Sequence, residues 1–220
     1  MPTTSDPDFF VNFQTMNTDT PASGPLTRGD LLSLEVYAGK RSELRSRAMA
    51  HKRNRIVRLG EHMTLLFEDR VTVQYQIQEM LRIERIFEAK GIQDELDAYN
   101  PLIPDGNNLK ATLLIEYPDP AERATRLTEL RGIEDCVYTQ VGAGPRQFAV
   151  ADEDMDRSND SKTSAVHFLR FQMSSTQRQA LREGESLSFG VEDPRYLQLQ
   201  LLSAELRQAL VADLNQGRSE

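Results

Sequence analysis

Glu84 is the residue whose type and spacing most invite chemistry. Val73, Ile77, Met80, Glu84 and Phe87 alternate at four and three residues, so one helix would carry all five on a single face. A carboxylate on an apolar stripe is costly unless it is hydrogen-bonded, paired with a cation or functional. Gln76, Glu79, Arg82 and Glu84 lie together on that helix as candidates for a polar pocket. Two uses remain open: a salt bridge to an arginine such as Arg45 or Arg53, or a carboxylate site for metal or acid-base work.

The nearest cations in sequence are concentrated. Residues 40 to 58 hold eight Lys or Arg against Glu43 alone, in a chain of 220 residues whose net charge is −8. Such a segment is either an internal clamp or a docking surface for an acidic partner, with Lys52, Arg53, Arg55 and Arg58 as the docking candidates. No aromatic residue interrupts positions 38 to 66 for base stacking, which with the acidic balance argues against nucleic acid.

Other chemistries fail on residue type or spacing. A ferritin-type diiron centre needs a His three residues after a Glu, and His51, His62 and His167 all lack that neighbour. His167 reads as a strand residue satisfied in the core, and a discontinuous metal site joining it to Glu84 stays open. Asp152, Asp154 and Asp156 fit positions one, three and five of a calcium loop, but Arg157 and Thr163 stand where Gly and Glu are required, leaving a solvated acidic loop over 152 to 162. Cys136 follows Glu134 and Asp135, charges that raise a thiol pKa, so no nucleophile is expected. No Walker loop, dinucleotide fingerprint or nucleophile elbow occurs, and no cofactor is predicted.

The elements that would position these groups are mixed. Residues 1 to 26 read as a flexible tail containing Phe9, Phe10 and Phe13, residues 27 to 214 as one domain, and 215 to 220 as a disordered end. Thr27 and Asp30 open a helix over Arg28 to Ala38, and a basic helix follows over Ser42 to Arg53. Strands are expected at 55 to 59, 62 to 67, 109 to 117, 136 to 141, 146 to 151, 163 to 173 and 186 to 191, with helices at 70 to 90, 93 to 99, 121 to 131 and 175 to 183. Asp193-Pro194 would cap a last helix through Leu214 that buries Leu199, Leu202, Leu206 and Leu210. The order is not strict strand-helix alternation and favours an α+β fold with a largely antiparallel sheet. A mean hydropathy of −0.53, one cysteine and no secretory start point to a soluble cytoplasmic protein without a membrane span.

LSLEVY at 32 to 37, RIVRLG at 55 to 60, LLFEDRVTVQYQIQEMLRIE at 65 to 84, YNPLIP at 99 to 104, ATLLIE at 111 to 116 and FGVEDPRY at 189 to 196 together resemble a bacterial domain family of unknown function. The family pattern has Asp-His before the last proline, where this chain has Glu192 and Asp193, so a His-dependent role does not carry over to that corner. The resemblance implies a place near peroxide or iron redox metabolism, because members are commonly encoded beside a rubrerythrin and an iron-sulfur oxidoreductase. On that basis the expected function is a non-catalytic accessory protein acting on a redox partner. The alternative is an enzyme or small-ligand or metal-binding protein using the Glu/Arg pocket of the 73 to 87 helix.

Overall fold

The computed structural model describes residues 24–153, 157–158 and 161–214, so residues 1–23 of the expected 1–26 tail and the expected end over 215–220 lie outside them. Helix α1 (Leu34–Lys52) leads through a short 3-10 turn into the hairpin β1 (Ile56–Leu59) and β2 (Met63–Phe67), then α2 (Arg70–Glu84), α3 (Ala89–Tyr99) and β3 (Asn108–Ile115). Next come α4 (Pro120–Glu129), β4 (Val137–Val141), β5 (Gln147–Phe148), β6 (Val150–Ala151) and β7 (Val166–Gln172). The chain closes with α5 (Ser175–Arg182), β8 (Leu187–Val191), β9 (Gln198–Leu201) and α6 (Ala204–Asp213).

Two sheets form, ordered β1-β2-β3-β7-β6 and β5-β4-β8-β9, with every pairing antiparallel. This is an α+β fold. One face of each sheet supplies the core, because alternate residues of a strand point to opposite faces: Leu109, Ala111 and Leu113 of β3 meet Leu187, Phe189 and Val191 of β8 in one cluster. Phe189 sits 4.8 Å from Phe67 and 5.1 Å from Phe171 between ring centroids. Leu127 of α4, Leu181 of α5 and Leu210 of α6 complete that core. A separate cluster joins Val73, Ile77 and Leu81 of α2 to Leu96 of α3 and to Leu26. Leu26, read as tail, is therefore buried, and its backbone exchanges hydrogen bonds with the Asn100 side chain at 2.7 and 2.9 Å.

Several element boundaries move for physical reasons. The two expected N-terminal helices are one: α1 runs through Gly39, starts at the Ser33 cap and leaves only a 3-10 turn at Arg28–Asp30. Helix α2 stops at Glu84 because Arg85 takes a left-handed conformation, φ 57° and ψ 40°. The 146 to 151 strand is split at Ala149, where the chain passes from one sheet to the other. The last expected helix is divided: residues 198–201 pair with β8 as a strand, and the helix begins only at the Ser203 cap. Asp193 does not cap a helix there; its carboxylate binds Arg195.

Candidate functional site

The expected 76 to 84 pocket is not assembled as the heptad-like spacing suggested. Buried positions of α2 are Thr72, Val73, Ile77, Gln78 and Leu81, so the face turns away from Met80, and Glu84 is exposed at the last helical position while Phe87 is 72% exposed beyond it. Glu84 pairs with neither Arg45 nor Arg53; its charge instead raises the pKa of Glu95, secondary to burial of that group. Glu79 is the carboxylate that is engaged. Arg41 donates to it twice, from Nε and Nη2 at 2.8 Å each, the Tyr37 hydroxyl donates at 2.6 Å and Arg82 at 3.2 Å. These donors, Arg41 foremost, hold Glu79 down at about 2 against the opposing effect of burial. Gln76 is half-buried and joins none of these bonds. The group ties α1 to α2 and leaves Glu79 fully committed.

The basic segment divides by burial. Arg55 is 5% exposed, and its guanidinium donates to Asp213 at 2.7 and 2.9 Å, with Asp69 2.9 Å from Nη2. His51 Nε2 lies 2.6 Å from Asp69 and 2.9 Å from Arg55 Nε, a position where it can donate to the carboxylate or accept from the guanidinium. Burial pushes the Asp69 carboxyl up, but His51 and Arg55 outweigh it and leave the group below its ordinary range. Among the described residues only Arg55 donates to Asp213, and burial there wins, raising the carboxyl despite Arg55. Asp69 also caps α2 by accepting from Thr72 N at 2.8 Å. This cluster therefore pins the end of α1, the start of α2 and the end of α6 together. Asp-x-x-Thr before a helix was a readable cap signal for Asp69; nothing local marks Asp213, which is 158 residues from Arg55.

Lys52 lies over the Tyr75 ring at 5.7 Å. Arg53 and Arg58 are exposed, as are Lys40, Arg45 and Arg47, and among the described residues none of these five makes an ion pair or side-chain hydrogen bond. The segment is thus both clamp and surface, through different residues.

His167 is fully buried in β7 and is not brought together with Glu84. Its Nδ1 is 2.5 Å from Asp152, and Nε2 faces Thr163 Oγ1 at 2.8 Å and the Ser164 carbonyl at 3.1 Å. The Thr163 hydroxyl donates to Glu134 at 2.8 Å, and Ser158 donates to the same carboxylate. The order carboxylate, imidazole, hydroxyl resembles a hydrolytic relay, yet Thr163 is 1% exposed and offers no approach to a substrate. Asp152 was expected in a solvated loop; its side chain is 8% exposed and is turned inward onto His167, with φ of 49°. Asp154 and Asp156 lie outside the described residues. Among the described residues no group of three or more His, Cys, Asp and Glu is arranged to hold a metal ion. The Cys136 thiol is pushed up by burial and by Asp193, 3.7 Å from the sulfur, rather than chiefly by its sequence neighbours.

An open cleft of about 430 Å³ is lined by Tyr117, Arg126, Glu129, Leu130 and Arg195. Its cations are already used: Arg126 pairs with Glu129 at 3.0 Å, and Arg195 spans Asp193 and the carbonyls of Glu129 and Arg131. His62 stacks on Tyr117 at 4.1 Å.

These features define an α+β protein of two antiparallel sheets with a helical layer, whose ionisable groups are mostly spent on internal ties. The chain belongs to the family described as "Protein of unknown function (DUF3501)", whose model matches residues 25–214. It is similar to a protein of unknown function from Burkholderia pseudomallei K96243 whose crystal structure is solved, with 48% identity, a TM-score of 0.82, and coverage of 86% of this chain and 98% of that one. Comparison with curated proteins gives no match. No helix among the described residues is long and apolar enough to cross a membrane.

Proposed function

We propose that this protein works by docking another protein, without a chemical step of its own. The supporting observation is the set of five exposed cations on α1, the 3-10 turn after it and β1, Lys40, Arg45, Arg47, Arg53 and Arg58, left without partners among the described residues in a chain of net charge −8. A chain rich in carboxylates that leaves its clustered arginines at the surface is suited to an acidic partner, which such a field would steer and orient. The partner is a redox protein, a rubrerythrin or an iron-sulfur oxidoreductase, in keeping with the family resemblance of the sequence.

Charge reversal of Arg53 and Arg58 to Glu tests this reading, with Arg55 left intact because it is buried. Immobilised protein should retain purified rubrerythrin or iron-sulfur protein, less so as salt rises, and the reversed variant should lose that retention with its melting temperature unchanged. Equal retention by the variant would overturn the reading, as would stoichiometric iron, zinc or manganese in the purified protein together with no retention of either partner.

A further inference from the structure

Tyr117, just after β3, has a buried ring and an unused polar end. It is 5% exposed and stacks on His62 at 4.1 Å, and among the described residues its hydroxyl takes part in no hydrogen bond. A polar atom sealed without a partner is costly, and among the described residues the side-chain atoms in that state belong to Arg70, Arg82 and Arg178. The Tyr117 hydroxyl therefore still reaches solvent, and it does so at the cleft of about 430 Å³ that Tyr117 lines with Arg126, Glu129, Leu130 and Arg195. Burial pushes this hydroxyl above its ordinary pKa against the pull of Arg126, so it keeps its proton at neutral pH and can donate a hydrogen bond. The two guanidiniums beside it differ in freedom. Arg195 is fixed: Nε and Nη2 donate to Asp193 at 2.8 and 2.5 Å, and Nη1 to the carbonyls of Glu129 and Arg131 at 2.6 and 3.2 Å. Arg126 is tied only to Glu129 at 3.0 Å and Glu122 at 3.7 Å, with all three side chains about half exposed, a setting in which an ion pair holds weakly and yields to a competing anion. Leu130, 4% exposed, adds an apolar wall.

We propose that this cleft binds a small organic monoanion, a carboxylate carried on an apolar body. The ligand carboxylate accepts from the Tyr117 hydroxyl and takes the place of Glu129 on Arg126, while the apolar body lies against Leu130. The charge follows from the balance of the site. Arg126 and Arg195 are matched by Glu129 and Asp193, so a monoanion that displaces one carboxylate is accommodated, whereas a phosphate dianion meets the repulsion of the others. The size follows from the volume: a cavity of roughly 150 Å³ accepts benzene, so the cleft has room for one ring or a short chain together with its carboxylate. None of the exposed cations proposed to dock a partner lines the cleft, so this site stands apart from that surface.

Isothermal titration calorimetry of the full chain with benzoate and with hexanoate tests this, against benzamide as the neutral counterpart of benzoate and inorganic phosphate as the competing anion. The parent should bind at least one of the two carboxylates at a single site with a Kd of about 1 mM or below, and benzamide and phosphate about tenfold more weakly or not at all. Tyr117→Phe removes a hydroxyl that bonds to nothing in the protein, so it should melt with the parent and yet bind about tenfold more weakly. Glu129→Gln removes the competing carboxylate and should bind more tightly, a gain that a merely structural pair with Arg126 would not produce. Arg53→Glu with Arg58→Glu should leave the affinity unchanged, which separates the cleft from the docking surface. A parent that binds neither carboxylate overturns the proposal, as does equal binding of benzamide or phosphate, or parent affinity in folded Tyr117→Phe. Loss of carboxylate binding on reversal of Arg53 and Arg58 would move the anion to the basic surface, and would equally overturn it.

Discussion

Replacing Arg55 with Met should be the most damaging single change to the buried ionic groups. The substitution keeps an unbranched apolar stem but removes the guanidinium, 5% exposed, that lies 2.7 to 2.9 Å from both carboxylates, leaving Asp213 without its donor and Asp69 with His51 and the Thr72 amide alone. Removing one partner of a buried pair costs about 3 to 5 kcal/mol, since the remaining charge has neither water nor counter-ion. For a domain of this size that corresponds to a fall in melting temperature of roughly 6 to 20 °C. The two carboxylates should respond differently. Asp213 is already pushed toward its neutral form by burial, so Asp213→Asn should cost less, about 1 to 3 kcal/mol, and the double variant less than the sum of the two. Asp69 has a carboxyl lowered from 3.8, so it contributes stability above that pH which is lost as pH falls through the lowered value. The deficit of Asp69→Asn should therefore grow as pH rises toward 3.8. Asp213 is raised from 3.8, so its ionisation works against folding as pH rises through the raised value, and the deficit of Asp213→Asn should shrink over that window. Urea unfolding of the four variants between pH 3 and pH 8 measures all of this. An Arg55→Met protein within about 0.5 kcal/mol of the parent, the range of an ordinary surface change, would refute the clamp.

Glu79→Gln should lose about 1 to 2 kcal/mol at neutral pH, and because its carboxyl sits at about 2 rather than 4.5 the difference from the parent should fade as pH drops from 4.5 toward 2; Glu84→Gln, exposed at the end of the same helix, should match the parent within about 0.5 kcal/mol in the same denaturation series. Gly190→Ala should cost about 1 to 3 kcal/mol, because its methyl group would displace the Tyr138 ring, and near-ultraviolet circular dichroism should report the altered tyrosine environment; an unchanged spectrum and stability would mean that the ring has other room.

Much of the framework follows from local rules that the sequence obeys. The β1 to β2 hairpin around Gly60, the strands β3 and β8, and helices α4 and α5 are set by alternation, β-branched content and capping residues, all acting within a few positions. The basic character of residues 40 to 58 was equally plain, because charge density is a property of the chain itself. What could not be read was which members of a set meet. A four-three spacing is compatible with more than one face of a long helix, and only packing of α2 against α3 and the Leu26 segment selected Ile77 and Leu81 over Met80 and turned Glu84 to solvent. The leucines from 199 to 210 satisfy a helical period, but pairing with β8 drew residues 198–201 into a strand and left Leu199 exposed. Arg55, Asp69 and Asp213, like His167, Asp152 and Glu134, are distant in sequence and become one network only after the backbone has folded. Desolvation makes such groups seek one another, and it acts on neighbours in space, which only the tertiary structure supplies.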